Sequence, residues 1–141
     1  MKALLDTCVL SEVQQAKPNP VIVSYLQSLD ESKMFISALT IGELTKGIDL
    51  LEPGKRRTTL ESWLTGLEDH YSGRILPVSS DVARIWGELL AKAKRQGIGL
   101  PAIDGLIAAT AIHHGLHLVT RNVSDFKATG ALLINPWETG K

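Results

Sequence analysis

Four acidic residues stand where they could do chemistry together: Asp6, Glu43, Asp104 and Asp125. Each has an ordinary structural role when taken singly. Asp6 can cap a helix, Thr40-x-x-Glu43 has the pattern of a capping box, Asp104 is a first-turn acid and Asp125 suits a loop or a cap. Their positions relative to the apolar runs suggest more. Asp6 directly follows Leu4-Leu5, Glu43 comes one helical turn beyond Met34-Phe35-Ile36, Asp104 opens an Ala-rich stretch, and Asp125 follows Leu118-Val119. Carboxylates gathered at one place repel one another and need a countercharge. Hard oxygen donors of this kind suit Mg2+ or Mn2+, with water and a substrate phosphate completing the octahedron. Such an ion could activate a water, orient a phosphate and stabilise charge on a leaving oxygen.

The elements that must bring these acids together are legible as an alternation. Short apolar runs occur at Ala3-Leu4-Leu5, Met34-Phe35-Ile36, Ile75-Leu76-Pro77-Val78, Leu116-His117-Leu118-Val119 and Ala131-Leu132-Leu133-Ile134. Their length and lack of charge fit parallel strands buried on both faces, and Pro77 marks the third as short or at an edge. Between them run helical stripes: Ile22, Tyr25, Leu26 and Leu29 after Pro18 and Pro20, then Leu44, Ile48 and Leu51, then Leu60, Trp63, Leu64 and Leu67. Val82, Ile85, Trp86, Leu89 and Leu90 form the clearest stripe, and residues 103–113 are apolar nearly all round. This predicts a three-layer α/β fold with a central, mostly parallel five-stranded sheet flanked by helices. Right-handed crossovers put the strand C-termini along one edge, which would collect all four acids.

A chain of 141 residues suits one domain, 1–141. Fifteen basic residues balance fifteen acidic ones, so no global field draws a polyanion. Composition by itself therefore leans away from nucleic acid, unless local basic groups, a bound cation or a basic partner recruit it. The N-terminus meets Asp6 before any long apolar stretch, no run suffices to span a bilayer, and the single Cys8 cannot form an internal disulfide. A cytoplasmic protein without membrane contact is expected. Lys55-Arg56-Arg57 reads as a solvated loop or helix start, and Lys92, Lys94 and Arg95 as a basic helix end favoured by the dipole. His113, His114 and His117 do not share the geometry of a zinc site, because adjacent helical residues point to different sides. Trp63 and Trp86 lie on apolar stripes and read as packing residues. Three Trp, two Tyr and two Phe are few for a single-strand binder built on stacking.

At the acidic positions the sequence resembles the PIN-domain ribonucleases, especially the VapC and FitB toxins of type II toxin–antitoxin modules. The resemblance rests on Leu4-Leu5-Asp6-Thr7-x-Val9-Leu10-Ser11-Glu12 and on Ile36-Ser37-x-x-Thr40-x-x-Glu43-Leu44. It continues through Asp104-Gly105-Leu106-Ile107-Ala108-Ala109-Thr110-Ala111, Thr120-Arg121-Asn122-x-x-Asp125-Phe126 and the closing Asn135-Pro136-Trp137. These blocks span nearly the whole chain in order. The resemblance implies a PIN-like fold and Mg2+- or Mn2+-dependent endonucleolytic cleavage of RNA, with tRNA or another structured RNA as the expected substrate, leaving a 5′-phosphate and a 3′-hydroxyl. It implies Asp6 and Asp104 as metal ligands, direct or through water, with Glu43 completing the acidic pocket. Thr7 and Thr120 would orient the carboxylates, with Ser37 and Thr40 in the same supporting set. Arg121, beside the acids, would contact a phosphate or pair with an antitoxin carboxylate.

The resemblance further implies a homodimer and a cognate antitoxin of the VapB/FitA kind. The antitoxin would lie in a groove on the helices at about 39–70, and DNA would be bound only through it. Two departures stand out. Cys8 occupies a position where the family commonly has Asn, which changes the hydrogen bonding beside Asp6. Some members place the fourth acid where this chain has Asn122, others where it has Asp125; Asp125 serves here as the acid and Asn122 as a supporting ligand. Three other functions are compatible with an acidic pocket: a PIN-type RNA-processing nuclease without an antitoxin, a non-catalytic Mg2+-binding signalling domain, and an autoregulator acting on DNA with its antitoxin. Signalling receivers add a Lys at a strand end, and no Lys follows these strands suitably.

Overall fold

The computed structural model describes residues 1–138, so the last three residues of the expected 1–141 domain lie outside the described residues. Five strands form one sheet: β1 (Ala3–Leu5), β2 (Met34–Ser37), β3 (Ile75–Leu76), β4 (His117–Val119) and β5 (Leu133–Ile134). Their order is β3-β2-β1-β4-β5, and every neighbouring pair is parallel. Each expected run yields a strand. The third stops at Leu76, because Pro77 has no amide hydrogen to continue the ladder, and it lies at an edge. The two edge strands are only half-buried, whereas β1 and its neighbours are almost wholly enclosed.

Seven helices connect the strands: α1 (Thr7–Val13), α2 (Pro20–Gln27), α3 (Ala38–Asp49), α4 (Lys55–His70), α5 (Ser80–Arg95), α6 (Ala102–His114) and α7 (Val123–Phe126). Alternate side chains of the central strands enter two separate cores. Ala3 and Leu5 join Met34, Ile36 and Val119 in a layer closed by Val9, Leu10, Ile22, Leu44, Ile48 and Leu64. Leu4 and Leu118 face the other way, against Ile107, Ala108, Ala111 and Phe126, with Phe35 and Leu89 packed alongside. Burial on both faces is why these strands read as unbroken apolar runs.

Local sequence sets the helix ends that matter for the site. Asp6 caps α1 by accepting from the Thr7 amide, so its helix-capping role is real and coexists with its place at the strand end. Ser37 caps α3 through the Leu39 amide. The Thr40–Glu43 pair is therefore inside the helix and is no capping box. At the far end of α6, Gly115 adopts a left-handed φ of 65°, and Leu116 N–H returns to Ala111 O at 2.9 Å, which stops the helix and turns the chain into β4. Lys92, Lys94 and Arg95 form the last turn of α5, and Lys55-Arg56-Arg57 begins α4.

The α5–α6 contact depends on Gly105. A Cβ there would stand 2.9 Å from Trp86 Cδ1, 3.1 Å from Nε1 and 3.3 Å from Leu100 Cδ2. The indole of Trp86 thus lies directly on the α6 backbone, one residue from Asp104. Gly105→Ala gains about 1 kcal/mol of helix propensity but forces the rigid indole to move, at about 1–3 kcal/mol. Equilibrium urea unfolding should give a lower midpoint for this variant, by about 1 kcal/mol in stability. An unchanged or higher midpoint would show that Trp86 yields freely.

Candidate active site

Parallel register brings Asp6 to Thr120. Leu5 pairs with Val119, and the Asp6 amide donates to Val119 O at 3.0 Å, so the next residues of both strands leave the sheet side by side. Thr120 Oγ1 donates to Asp6 Oδ2 at 2.8 Å, and the Thr7 amide donates to Oδ1 at 2.9 Å. Both carboxylate oxygens are thereby fixed in a residue only 6% exposed. Thr120 is held in turn: its Oγ1 accepts the Asn122 amide at 3.0 Å.

Glu43 reaches the same edge from α3. Its Oε1 accepts from Thr7 Oγ1 at 2.6 Å, and that hydroxyl also lies 3.4 Å from buried Thr40 Oγ1. Thr7 therefore links Asp6, through its amide, to Glu43, through its hydroxyl. Asp104 occupies the first turn of α6, whose N-terminus arrives at the same edge, and Asp125 the first turn of α7. Asp104 senses the charge of the other three acids, and Asp6 that of Asp125. Burial raises the Asp104 pKa above the usual carboxylate value, and the charges of Asp6, Asp125 and Glu43 raise it further. Burial also raises that of Asp6; the Thr120, Thr7 and Cys8 hydrogen bonds oppose this, and the Asp125 charge adds to it.

The supporting residues divide. Thr7 and Thr120 touch the acids directly, Thr40 touches Thr7, and Ser37 spends its hydroxyl on the α3 cap. The Asn122 side chain forms no capping bond to α7, although the Asn122 backbone carbonyl accepts the Asp125 amide at 3.0 Å. The Arg121 guanidinium lies 5.5 Å from the Trp137 ring centre, a cation–π arrangement at the margin of the site. His113 and His114 stand edge to face at the end of α6, away from the acids, and His117 is on β4.

Cys8 is more engaged than the sequence suggested. Its sulfur accepts the Arg121 amide at 3.4 Å and lies 3.8 Å from Asp6 Oδ2 and 3.7 Å from Thr120 Oγ1. Burial pushes the thiol pKa up, the Arg121 amide lowers it, and the Asp6 charge raises it again. A neutral thiol in this setting is a poor nucleophile and acts as a bridge between α1 and the β4–α7 loop.

The donor set suits a hard divalent cation. Among the described residues, none of Asp6, Glu43, Asp104 and Asp125 is in an ion pair, although neighbouring acids raise the proton affinity of Asp6 and Asp104. Among the same residues, no group of three or more Asp, Glu, His or Cys side chains is placed to hold a metal ion.

Comparison with known proteins agrees with this architecture. Residues 3–132 match the PIN domain family. The VapC ribonuclease Y4jK of Sinorhizobium fredii is 38% identical over 136 residues, which cover 96% of this chain and 97% of that protein. Toxin FitB of Neisseria gonorrhoeae is 39% identical over 135 residues, covering 95% and 97%. The solved structure of FitAB bound to an IR36 DNA fragment contains a chain that superposes with a TM-score of 0.92 at 36% identity, over 99% of this chain and 98% of that one. The chain belongs to the PIN-domain family and is of the VapC/FitB type.

Proposed function

We propose that this protein is the toxin of a type II toxin–antitoxin module, an endoribonuclease that uses Mg2+ or Mn2+ to hydrolyse RNA phosphodiester bonds. The observation that carries the reading is the buried Asp6 carboxylate, fixed by Thr120 and Thr7, facing three further acids that have no ion-pair partner among the described residues. Relatives named as a VapC ribonuclease and as toxin FitB support it. Asp6 and Asp104 hold the ion, and Asp125 and Asn122 complete the rim of the site. When bound, the ion supplies positive charge to the phosphate and makes water more acidic. Glu43, held by Thr7 through Oε1, keeps Oε2 for positioning a water and accepting its proton. Arg121 contacts a neighbouring phosphate. Attack of water on phosphorus leaves a 5′-phosphate and a 3′-hydroxyl. The substrate is a tRNA or another structured RNA.

The protein works in the cytoplasm as a homodimer and is silenced by a VapB/FitA-like antitoxin, through which alone it meets DNA. The DNA-bound FitAB assembly supports that partnership. Exposed Leu50 and Ile103 border the hollow that opens from Glu43 along α3, an apolar surface suited to an antitoxin segment.

Purified protein should cleave RNA with Mg2+ or Mn2+, lose cleavage in EDTA, and lose at least about 100-fold of its rate as Asp6→Asn, equivalent to about 3 kcal/mol of transition-state stabilisation. Cleavage that persists unchanged in EDTA and in Asp6→Asn would sink the metal mechanism. Sequencing RNA 5′ ends after induction of each form identifies the substrate.

A pH dependence follows from the raised Asp6 and Asp104 pKa values. A carboxylate with a raised folded-state pKa contributes stability that is present below its unfolded pKa and lost as pH rises through the folded value. The ion binds the ionised forms and competes with those protons. Mg2+ should therefore raise the melting temperature more at about pH 7.5 than at about pH 5, and less in Asp104→Asn than in wild type. A rise independent of pH would place the ion elsewhere.

A further inference from the structure

The Thr7–Glu43 hydrogen bond stands between two hollows. One opens along α3 beside Lys46, Leu50 and Ile103. The other leads away between α1 and α4 and has a different chemistry. It encloses about 200 Å³ bounded by Thr7, Glu43, Gln14, Arg56, Leu60 and Trp63. Gln14, Arg56, Leu60 and Trp63 also border an adjoining hollow of about 340 Å³. A depression thus starts at Thr7 and Glu43 and runs to Trp63.

Its parts match one nucleotide of an RNA chain. Trp63 packs against the core yet is only half-buried and lines the depression, and an indole can stack on any base. Leu60 supplies apolar floor, and half-buried Gln14 an amide able to bond a base edge. Arg56 is exposed at the rim. Its neighbour Arg57 is committed to Asp49 and Glu61, whereas Arg56 is in no ion pair among the described residues. A free guanidinium, an aromatic wall and an amide, one step from a phosphate-cutting site, form a charge and shape complement to a nucleoside phosphate. The α3 hollow offers Lys46 and aliphatic side chains but no aromatic wall, so stacking is assigned to the α4 side.

We propose that the Arg56–Trp63 depression holds the nucleotide flanking the scissile phosphate, its base stacked on Trp63 and its phosphate held by Arg56, and so sets which RNA positions are cut. The inference rests on the ribonuclease reading above and adds a substrate subsite to it.

The test uses an RNA oligonucleotide spanning a mapped cleavage site, with Mg2+ and the full chain. Arg56→Gln should raise KM about fivefold and Trp63→Leu about tenfold, with kcat nearly unchanged, while Trp63→Phe keeps a wild-type KM. Abasic ribose introduced at each nucleotide beside the scissile bond should, at one position, raise the wild-type KM to that of Trp63→Leu and leave Trp63→Leu itself unaffected. A merely structural Trp63 would give losses that add to the abasic loss, which overturns the proposal. Wild-type KM in both Arg56→Gln and Trp63→Leu overturns it as well. If those variants keep KM but bind an inhibitory partner protein less tightly, the depression is a protein-docking surface and the nucleotide assignment falls. Failure of wild type to cut any RNA would instead remove the ribonuclease reading itself.

Discussion

The hydrogen bond from Thr120 to Asp6 is the constraint on which the site depends. It joins the ends of the two central strands, at 2.8 Å, inside the protein. A carboxylate so enclosed gives up much of its hydration, and burial is the largest influence raising its pKa. The protein offsets that cost with donors fixed by the fold itself: a hydroxyl from the strand next to β1 and the amide that opens α1. Removing such a partner from a buried polar group costs about 1–3 kcal/mol. Asp6 is thus held in one orientation at the expense of folding stability.

The same constraint explains why the rest of the sheet is built as it is. Parallel register places successive strand ends on one edge, so Asp6 and Thr120 meet without any long loop. Ser37 ends β2 and begins α3 with no intervening residue, which brings Glu43 within reach of Thr7. The α6 helix must deliver Asp104 to this edge while packing closely on α5. Gly105 allows the Trp86 indole to rest on the helix backbone at that point. The three requirements (strand register, an immediate β2–α3 turn and a close α5–α6 crossing) are independent in sequence but converge on a small volume.

Much of this was legible in the residues. The five apolar runs and the helical stripes are direct consequences of burial on two faces and one face respectively; Asp6, Glu43 and Asp125 stand out by following such runs and Asp104 by opening the Ala-rich helix. The contacts between elements were less legible. Thr40-x-x-Glu43 matches a helix-start pattern, yet Ser37 had the first claim, because its extended backbone adjoins the helix and its hydroxyl reaches the Leu39 amide. Trp63 reads as packing from its stripe and does pack against the core, yet it is only half-buried and also lines a hollow that belongs to no single element. Periodicity reports which face of a helix is covered; it does not report what remains uncovered at the seam between α1 and α4.

Cys8 shows how one side chain adjusts such a site. In this position an amide would offer a strong donor and a strong acceptor, whereas a thiol offers weak versions of both. Here the sulfur accepts the Arg121 amide at 3.4 Å, and it stands within contact distance of Asp6 and Thr120. The loop after β4 is therefore anchored by the Thr120 hydroxyl, which receives the Asn122 amide, together with a softer tie to sulfur. Arg121 lies between these two anchors, and its guanidinium leans on the Trp137 ring. Backbone held on both sides with a side chain resting on an aromatic face gives Arg121 a defined direction while its charge stays at the surface. The weak bond at Cys8 leaves the loop's geometry to Thr120, so the residue that fixes Asp6 also fixes where Arg121 begins.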